Sequence, residues 1–403
     1  MTELMDLTEY TERAESWLGD HAERRPPDTE PGWGIGSDNV AVFHNLNPAE
    51  ERACVDELRA WQRLKSEAGY GSITWPVEYG GAGLPPAFEA AFSRLERGFL
   101  TPAPHEAVTI SLNIEAPTIL TLGTEAQKRR WVASLRRADE LCCQLFSEPA
   151  AGSDLGSIAM RAERDGDVWV LNGQKVWTSG AQFADVGYAI ARTDPTGPRQ
   201  TSMTAFLVDL RSPGVEVRPL RQMSGGSSFN EVFLTDVRVP DTDRVGEVGS
   251  GWHAMMTTLG FERSAATGGS GGTDLFGRLV MLARHLGRDH DPIVRQLLAE
   301  VYTERRVAGL NRRRAAARLR ADGVPGPEGS LGKLAYSTWL QRCGHVAAVL
   351  LGPRLTADTG EWGTFAWSEL VNGAPGMRIG GGTDEIQRNT IAERVLGLPR
   401  EPR

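Results

Sequence analysis

The chain has 403 residues, 44 basic against 52 acidic side chains, a formal net charge of −8 and 40% hydrophobic residues. That is enough polypeptide for two or three domains and a large buried core, while the mildly acidic balance argues against a nucleic-acid surface as its main business. No apolar stretch approaches the roughly 20 residues needed to span a bilayer, and the N-terminal segment, with Glu3, Asp6, Glu9, Glu12 and Glu15, lacks the apolar core of a signal peptide.

Cys142 and Cys143 are adjacent, Cys54 and Cys343 stand alone, and no CxxC or Cys/His ligand spacing occurs. A reduced, cytoplasmic and metal-free protein is therefore expected. In chain order, Glu50 to Ala68 sets Ala53, Leu58, Trp61 and Leu64 on one helical face among charges. Thr124 with Gln127 forms a capping-box signal ahead of Trp131, Val132 and Leu135. Between them the run Trp75 to Leu84, WPVEYGGAGL, is a rigid, turn-rich loop.

From about Leu141 the pattern changes. Leu145 to Asp154 joins an apolar strand end, a Pro-opened bend, the hydroxyls of Ser147 and Ser153 and a small-residue turn. Such a run can aim N–H groups and hydroxyls at one edge of a flat polar ligand and let that ligand come close. Val168 to Leu171, Asn172-Gly173 and Gln174 to Thr178 predict a β-hairpin closed by a type I′ turn. Further strands are expected at Val186 to Ala191, Thr204 to Val208, Val215 to Arg218 and Glu231 to Val239, making a small antiparallel β domain.

After Pro240 helices return and run nearly to the end, interrupted at Pro325-Gly326-Pro327. The expected organisation is α+β: an N-terminal helical domain over residues 1–140, a middle antiparallel, barrel-like β domain over 141–245 and a C-terminal helical bundle over 246–403. Gly268 to Asp274 looks like a phosphate loop but lacks the following Lys-Ser/Thr and a preceding strand. Gly32-Trp33-Gly34-Ile35-Gly36 lacks the strand and helix of a dinucleotide fingerprint and is read as a linker. The Arg-rich stretch Asn311 to Arg320 is read as a solvated or interface helix face.

Five ordered segments together carry a family resemblance. They are the Trp75–Leu84 loop, the Phe146–Asp154 run, Asn172 to Gly180 (NGQKVWTSG), Phe229 to Phe233 through Arg238-Val239-Pro240, and Gly382-Thr383-Asp384-Glu385-Ile386-Gln387-Arg388. On these the chain resembles the acyl-CoA dehydrogenases, FAD enzymes that introduce a 2,3 double bond into acyl thioesters. The resemblance implies that backbone groups near Phe146 and the hydroxyl of Ser147 meet the flavin pyrimidine edge. It also implies that Ser179 bonds near N5 and that Trp177 covers one ring face. Taken alone, the two serines would read as turn-capping hydroxyls and Trp177 as core packing. Ser153 resembles a contact to the CoA arm.

The family's reaction needs a base for the α-proton while the β-hydrogen leaves to flavin N5. Its commonest form carries a Glu immediately before Gly-Thr, but here that position is Gly381. A subset resembling isovaleryl- and long-chain acyl-CoA dehydrogenases carries the base on an early C-terminal helix, just before an Arg. Leu259-Gly260-Phe261-Glu262-Arg263 stands at that place, which makes Glu262 the candidate base, with a pKa expected to be raised by desolvation. The Gly381 N–H would still polarise the thioester carbonyl, and Arg263 would help to place the CoA portion.

Thr383 and Glu385 survive in one FAD contact region. The segments that usually hold the distal half of FAD are replaced by Arg284-His285-Leu286-Gly287-Arg288-Asp289 and Val349-Leu350-Leu351-Gly352-Pro353, which leaves Arg284 as the candidate diphosphate contact. The resemblance implies an electron-transferring flavoprotein as the next acceptor and a homotetramer built as a dimer of dimers. The thioester carrier, CoA or a carrier protein, and the acyl group stay open. Two alternatives accompany this reading: an oxygen-using flavoenzyme of the same fold, an acyl-CoA oxidase or monooxygenase, and a non-catalytic subunit of a hetero-oligomer.

Overall fold

The computed structural model describes residues 6–26, 32–267, 274–322 and 326–400. By its internal contacts the chain forms two compact units, one of Met1–Asp28, Leu46–Leu220 and Phe229–Phe261, the other of Thr29–Asn45, Arg221–Ser228 and Glu262–Arg403.

The first unit opens with helices α1 (Leu7–His21), α2 (Pro48–Glu67), α3 (Pro86–Glu96), α4 (Glu106–Ile110), α5 (Ala116–Leu122) and α6 (Glu125–Arg136). Their starts are set locally. The Thr124 hydroxyl accepts the Gln127 backbone N–H at 3.2 Å while the Gln127 side-chain Oε1 accepts the Thr124 N–H at 3.0 Å, a reciprocal box at the head of α6. Asn47 and Glu50 do the same for α2. The Trp75–Leu84 loop is stiff because the N–H groups of Gly81, Ala82, Gly83 and Leu84 return to carbonyls of Pro76, Ser72, Trp75 and Ile73.

Eight strands follow: β1 (Cys142–Leu145), β2 (Arg161–Asp165), β3 (Val168–Ser179), β4 (Val186–Arg192), β5 (Met203–Asp209), β6 (Val215–Leu220), β7 (Phe229–Pro240) and β8 (Arg244–Val245). They form one sheet in the order β6-β7-β3-β2-β4-β5-β8, with β1 added beside β4. Pairings are antiparallel except β1–β4 and β2–β4, which are parallel. In β4 and β5 nearly every residue is buried, which explains why both read as continuous apolar runs rather than alternating ones.

The hairpin expected at Asn172-Gly173 does not form, because β3 runs straight through these residues. The chain instead reverses between β2 and β3, where Gly166 has φ +66°. Strand β2 was invisible to periodicity because four of its five residues are charged. Asn172 is occupied across the sheet: its amide donates to Asp236 at 3.0 Å and its oxygen accepts the Asp236 N–H at 2.9 Å. Gly173 sits at a register shift, where a Cβ would lie 2.6–2.9 Å from Met160, so glycine serves close approach and a bulge rather than a turn.

Helix α7 (Gly251–Thr267) leads out of the β domain, and α8 (Leu275–His285), α9 (Pro292–Asp322), α10 (Gly329–Leu351), α11 (Ala366–Met377) and α12 (Asp384–Thr390) follow. In the second unit Leu279, Leu282, Val301, Leu340, Val346, Trp367 and Leu370 pack into a common core. The supposed linker Gly32–Gly36 belongs to this unit. Trp33 stacks on His285 at 4.0 Å and meets Trp362 edge-on at 5.0 Å, while Trp362 donates to the Gly36 carbonyl at 2.8 Å. The glycines drew attention in the sequence, but the tryptophan between them decides the fold.

Of the glycine run at 268–274, residues 268–273 lie outside the described residues; Asp274 caps α8. On α9, Arg312, Arg313, Arg314 and Arg318 are exposed, and Arg318 pairs with Glu328. No helix among the described residues is long and apolar enough to cross a membrane.

Candidate active site

Strand β1 delivers the chain to Phe146, which is buried against Tyr188 with ring centroids 5.9 Å apart, and to Ser147, which is partly exposed. The backbone here is held by β3. The Val176 N–H donates to the Ser147 carbonyl at 2.9 Å, and the fully buried Lys175 ammonium donates to the Phe146 carbonyl at 3.0 Å. The same ammonium reaches the Ile190 carbonyl and the Glu148 carboxylate, each at 2.8 Å. Glu148 in turn accepts the Ala159 and Met160 N–H groups at 2.7 and 2.9 Å.

Burial pushes the Lys175 pKa down to about 8, against the opposing pull of Glu148. A lysine and a glutamate 27 positions apart thus clamp the loop that carries Phe146 and Ser147. Sequence reasoning quoted both motifs and missed the pair between them. The available signal was a Lys set inside an apolar strand, a position that needs a counter-charge.

Past Lys175 the β3–β7 register shifts, and Trp177 adopts φ +61°. A bulky residue in this left-handed region is strained, at a cost of order 1–3 kcal/mol. The result is an indole turned out of the sheet and 63% exposed, with Phe229 edge-on at 6.2 Å. Ser179, two residues on, is partly exposed, and among the described residues no hydrogen bond takes the side-chain hydroxyl of Ser147 or Ser179. An outward aromatic wall with two free hydroxyls on neighbouring segments fits a flat, polar-edged ring such as a flavin. Ser153 is exposed at the bend that follows, where Asp154 pairs with Arg199 at 2.9 Å.

In the second unit, Glu262 and Gly381 come together. A Cβ built on Gly381 would stand 3.6 Å from Glu262 Oε1, ordinary van der Waals contact. Gly381 and Gly382 have φ of +67° and +85°, and the loop then enters α12. Thr383 caps that helix by accepting the Ile386 N–H at 3.2 Å, and Glu385 is exposed, 3.6 Å from Arg388. Asp384 is buried and accepts from Ser337 at 2.7 Å, Arg378 at 2.9 Å and Lys333 at 3.0 Å. Burial works to raise its pKa, yet these three donors outweigh it and hold the carboxyl below its usual range.

Arg263 is pulled below the usual arginine range by desolvation, with Glu262 opposing and Arg394 adding to the effect. Arg284 lies exposed in the last turn of α8. Its neighbour Arg288 is spent inside the fold, donating to the Val349 carbonyl at 2.8 Å and pairing with Asp291 at 2.9 Å.

Family models for the acyl-CoA dehydrogenase N-terminal, middle and C-terminal domains match residues 42–139, 143–237 and 249–396. The chain belongs to the acyl-CoA dehydrogenase family. It is 36% identical over 404 residues to acyl-CoA dehydrogenase IpdE1 of Mycobacterium tuberculosis, covering 99% of each chain. It is 37% identical over 370 residues to FadE34 of the same organism, covering 90% of this chain and half of that one. Among solved structures, the ChsE4-ChsE5 complex of Mycobacterium tuberculosis matches with a TM-score of 0.74 at 25% identity over all of both chains. A glutaryl-coenzyme A dehydrogenase with glutaryl-CoA shares the fold, with a TM-score of 0.66 at 24% identity, covering 90% of this chain and 98% of that one. As a member of this flavoprotein family the chain is an acyl-CoA dehydrogenase, and helical N- and C-terminal parts around a middle sheet are the family's architecture.

Proposed function

We propose that this acyl-CoA dehydrogenase holds FAD against Trp177, Ser147 and Ser179 and uses Glu262 to remove the α-proton of an acyl-CoA. The observation that carries the proposal is the 3.6 Å between Glu262 Oε1 and the point where a Gly381 side chain would begin. A carboxylate from α7 thus stands beside position 381, which supports reading it as the base in place of the Glu that the family usually carries there. Bound FAD would supply the acceptor for the β-hydride.

The chain's own part is to orient the thioester, take the α-proton at the Glu262 carboxylate and stabilise the negative charge that moves onto the thioester oxygen. The Gly381 N–H is the proposed donor to that oxygen. Ser153 and Arg263 are assigned to the CoA arm, and Thr383, Glu385 and Arg284 to the rest of the cofactor. The four cysteines are free, in keeping with a reducing, cytoplasmic setting. A homotetramer passing electrons to an electron-transferring flavoprotein completes the reading.

The second reading is a subunit of a hetero-oligomer. It is favoured by one solved relative being a complex of ChsE4 with ChsE5, and by the replacement of the segments that usually hold the distal half of FAD. Flavin absorbance per chain, light scattering of the purified protein and anaerobic bleaching with short, branched, aromatic and steroid-type thioesters separate the two. A dehydrogenase bleaches and a scaffold does not, and peroxide release in air would point to an oxidase. Glu262→Gln should retain flavin and abolish bleaching. Unchanged reduction in that variant removes Glu262 from the base role.

A further inference from the structure

The Gly380-Gly381-Gly382 loop has no side chain with which to hold its own shape. Three successive glycines leave the backbone nearly unrestricted, yet a peptide N–H that stabilises developing charge must point in one direction, because a hydrogen bond weakens steeply as it bends. The loop is pinned from outside. On its leading side the N–H groups of Ile379 and Gly380 donate to the Gly376 carbonyl at 3.1 and 2.9 Å. On its trailing side the Gln387 amide donates to the carbonyls of Gly381 at 2.9 Å and Gly382 at 3.2 Å. The peptide unit that bears the Gly381 N–H is thus suspended between two fixed neighbours.

Gln387 is itself well anchored, being 5% exposed on α12. Asp384 ties the start of α12 to α10 through Ser337 and Lys333. It also ties α12 to the root of the glycine loop, since the Arg378 side chain donates to its carboxylate at 2.9 Å and its own N–H donates to the Arg378 carbonyl at 2.9 Å. A Cβ on Gly382 would come within 2.7 Å of the Gln387 amide nitrogen, so the clasp also requires glycine there.

We propose that Gln387 is a positioning residue: by holding the carbonyls of Gly381 and Gly382 it fixes the peptide plane that follows Gly381, and with Gly380 held from the other side it limits rotation of the plane between them, so that the Gly381 N–H is presented to the thioester carbonyl. The proposal rests on the reading of Gly381 as the donor to the thioester oxygen. Gln387 touches no reacting atom, and its effect is exerted through the peptide plane it holds, which limits the turn of the preceding plane that bears the Gly381 N–H.

The test compares wild type, Gln387→Met and Gln387→Glu as flavin-loaded full-length protein. Methionine keeps the length without a donor, and glutamate keeps the shape but accepts only when ionised. Two ligands are titrated: a saturated acyl-CoA, whose binding to the flavin-reduced protein, which cannot turn it over, is read by calorimetry, and, on the oxidised protein, a 3-thia acyl-CoA, which can lose its α-proton but has no β-hydride to give. Formation of the enolate from the latter is read by its long-wavelength absorbance. Both variants should bind the saturated thioester within about twofold of wild type, with enolate formation weakened at least about tenfold and kcat reduced by a similar factor at little-changed KM.

Equal losses for the two ligands would make Gln387 a merely structural residue and overturn the proposal, as would unchanged enolate formation in either variant. If Gln387→Met gives no folded flavoprotein, Gln387→Glu carries the test. A wild type that forms no enolate with any thioester overturns the dehydrogenase reading and this inference with it. A wild type that does so while both variants match it overturns this inference alone.

Discussion

The Lys175–Glu148 pair offers the most direct check on how the Phe146–Ser147 loop, proposed to meet the flavin edge, is built. Lys175→Met preserves most of the side-chain volume and removes one charge, together with three hydrogen bonds of 2.8–3.0 Å to Phe146, Glu148 and Ile190. Breaking a buried ion pair by deleting one partner typically costs about 3–5 kcal/mol, because the remaining charge stays buried. Here Glu148 keeps the N–H groups of Ala159 and Met160, which places the expected cost near the lower end of that range. Even so, about 3 kcal/mol is a large share of the 5–15 kcal/mol that holds a typical protein folded, and in a chain of this length it should lower the unfolding midpoint by about 4 °C.

The double variant Lys175→Met/Glu148→Gln separates charge from packing. With no ion left to bury, it should recover at least about 1 kcal/mol relative to Lys175→Met alone, a coupling that non-interacting residues would not show. The assay is thermal unfolding followed by tryptophan fluorescence, with flavin release followed in parallel. Flavin should be lost before global unfolding in the single variant, because the Phe146 carbonyl has lost its anchor. A Lys175→Met protein that melts within about 2 °C of wild type and keeps its flavin would refute the reasoning.

Two other substitutions bear on the fold and the cofactor wall. Trp177→Ala removes a side chain that is 63% exposed in a strained backbone, so stability should change by no more than about 0.5 kcal/mol. Flavin affinity in that variant should fall about tenfold, the worth of one aromatic stacking contact, and an unchanged dissociation constant on flavin titration would remove Trp177 from the wall. Gly173→Ala would drive a methyl group to 2.6–2.9 Å from Met160 and should cost about 1–3 kcal/mol in urea unfolding. A neutral result would mean that β3 and β2 separate there more easily than their packing suggests.

What the sequence alone could show follows the range over which each interaction acts. The box of Thr124 and Gln127 spans three residues, so it was legible from the letters, as were β4 and β5, whose apolar runs record burial on both faces. The proposal of Glu262 as base draws on motif resemblance alone at the level of sequence, since nothing local marks that carboxylate apart from an ordinary helix charge. The Lys175–Glu148 pair, the Gln387 clasp and the packing of Trp33 on His285 and Trp362 each depend on which residues the fold brings together. Trp33 and its partners are separated by some 250 to 330 positions, beyond the reach of any pattern in the intervening chain.

Glycine shows the difficulty most sharply. Asn172-Gly173 is the strongest short hairpin signal in the chain, yet the cross-strand bonds of Asn172 to Asp236 and the closeness of Met160 turn it into a bulge in a continuous strand. Gly166, in an Asp165-Gly166 pair of the same class set among charges, makes the actual reversal. Gly381 is different again: a methyl group would meet Glu262 only at ordinary contact distance, so crowding does not exclude a small side chain, and backbone handedness at φ +67° is what disfavours it. Position 381 therefore supports a backbone role, and its departure from the family's usual Glu is chemically tolerable only if a carboxylate from elsewhere stands beside it, as Glu262 does.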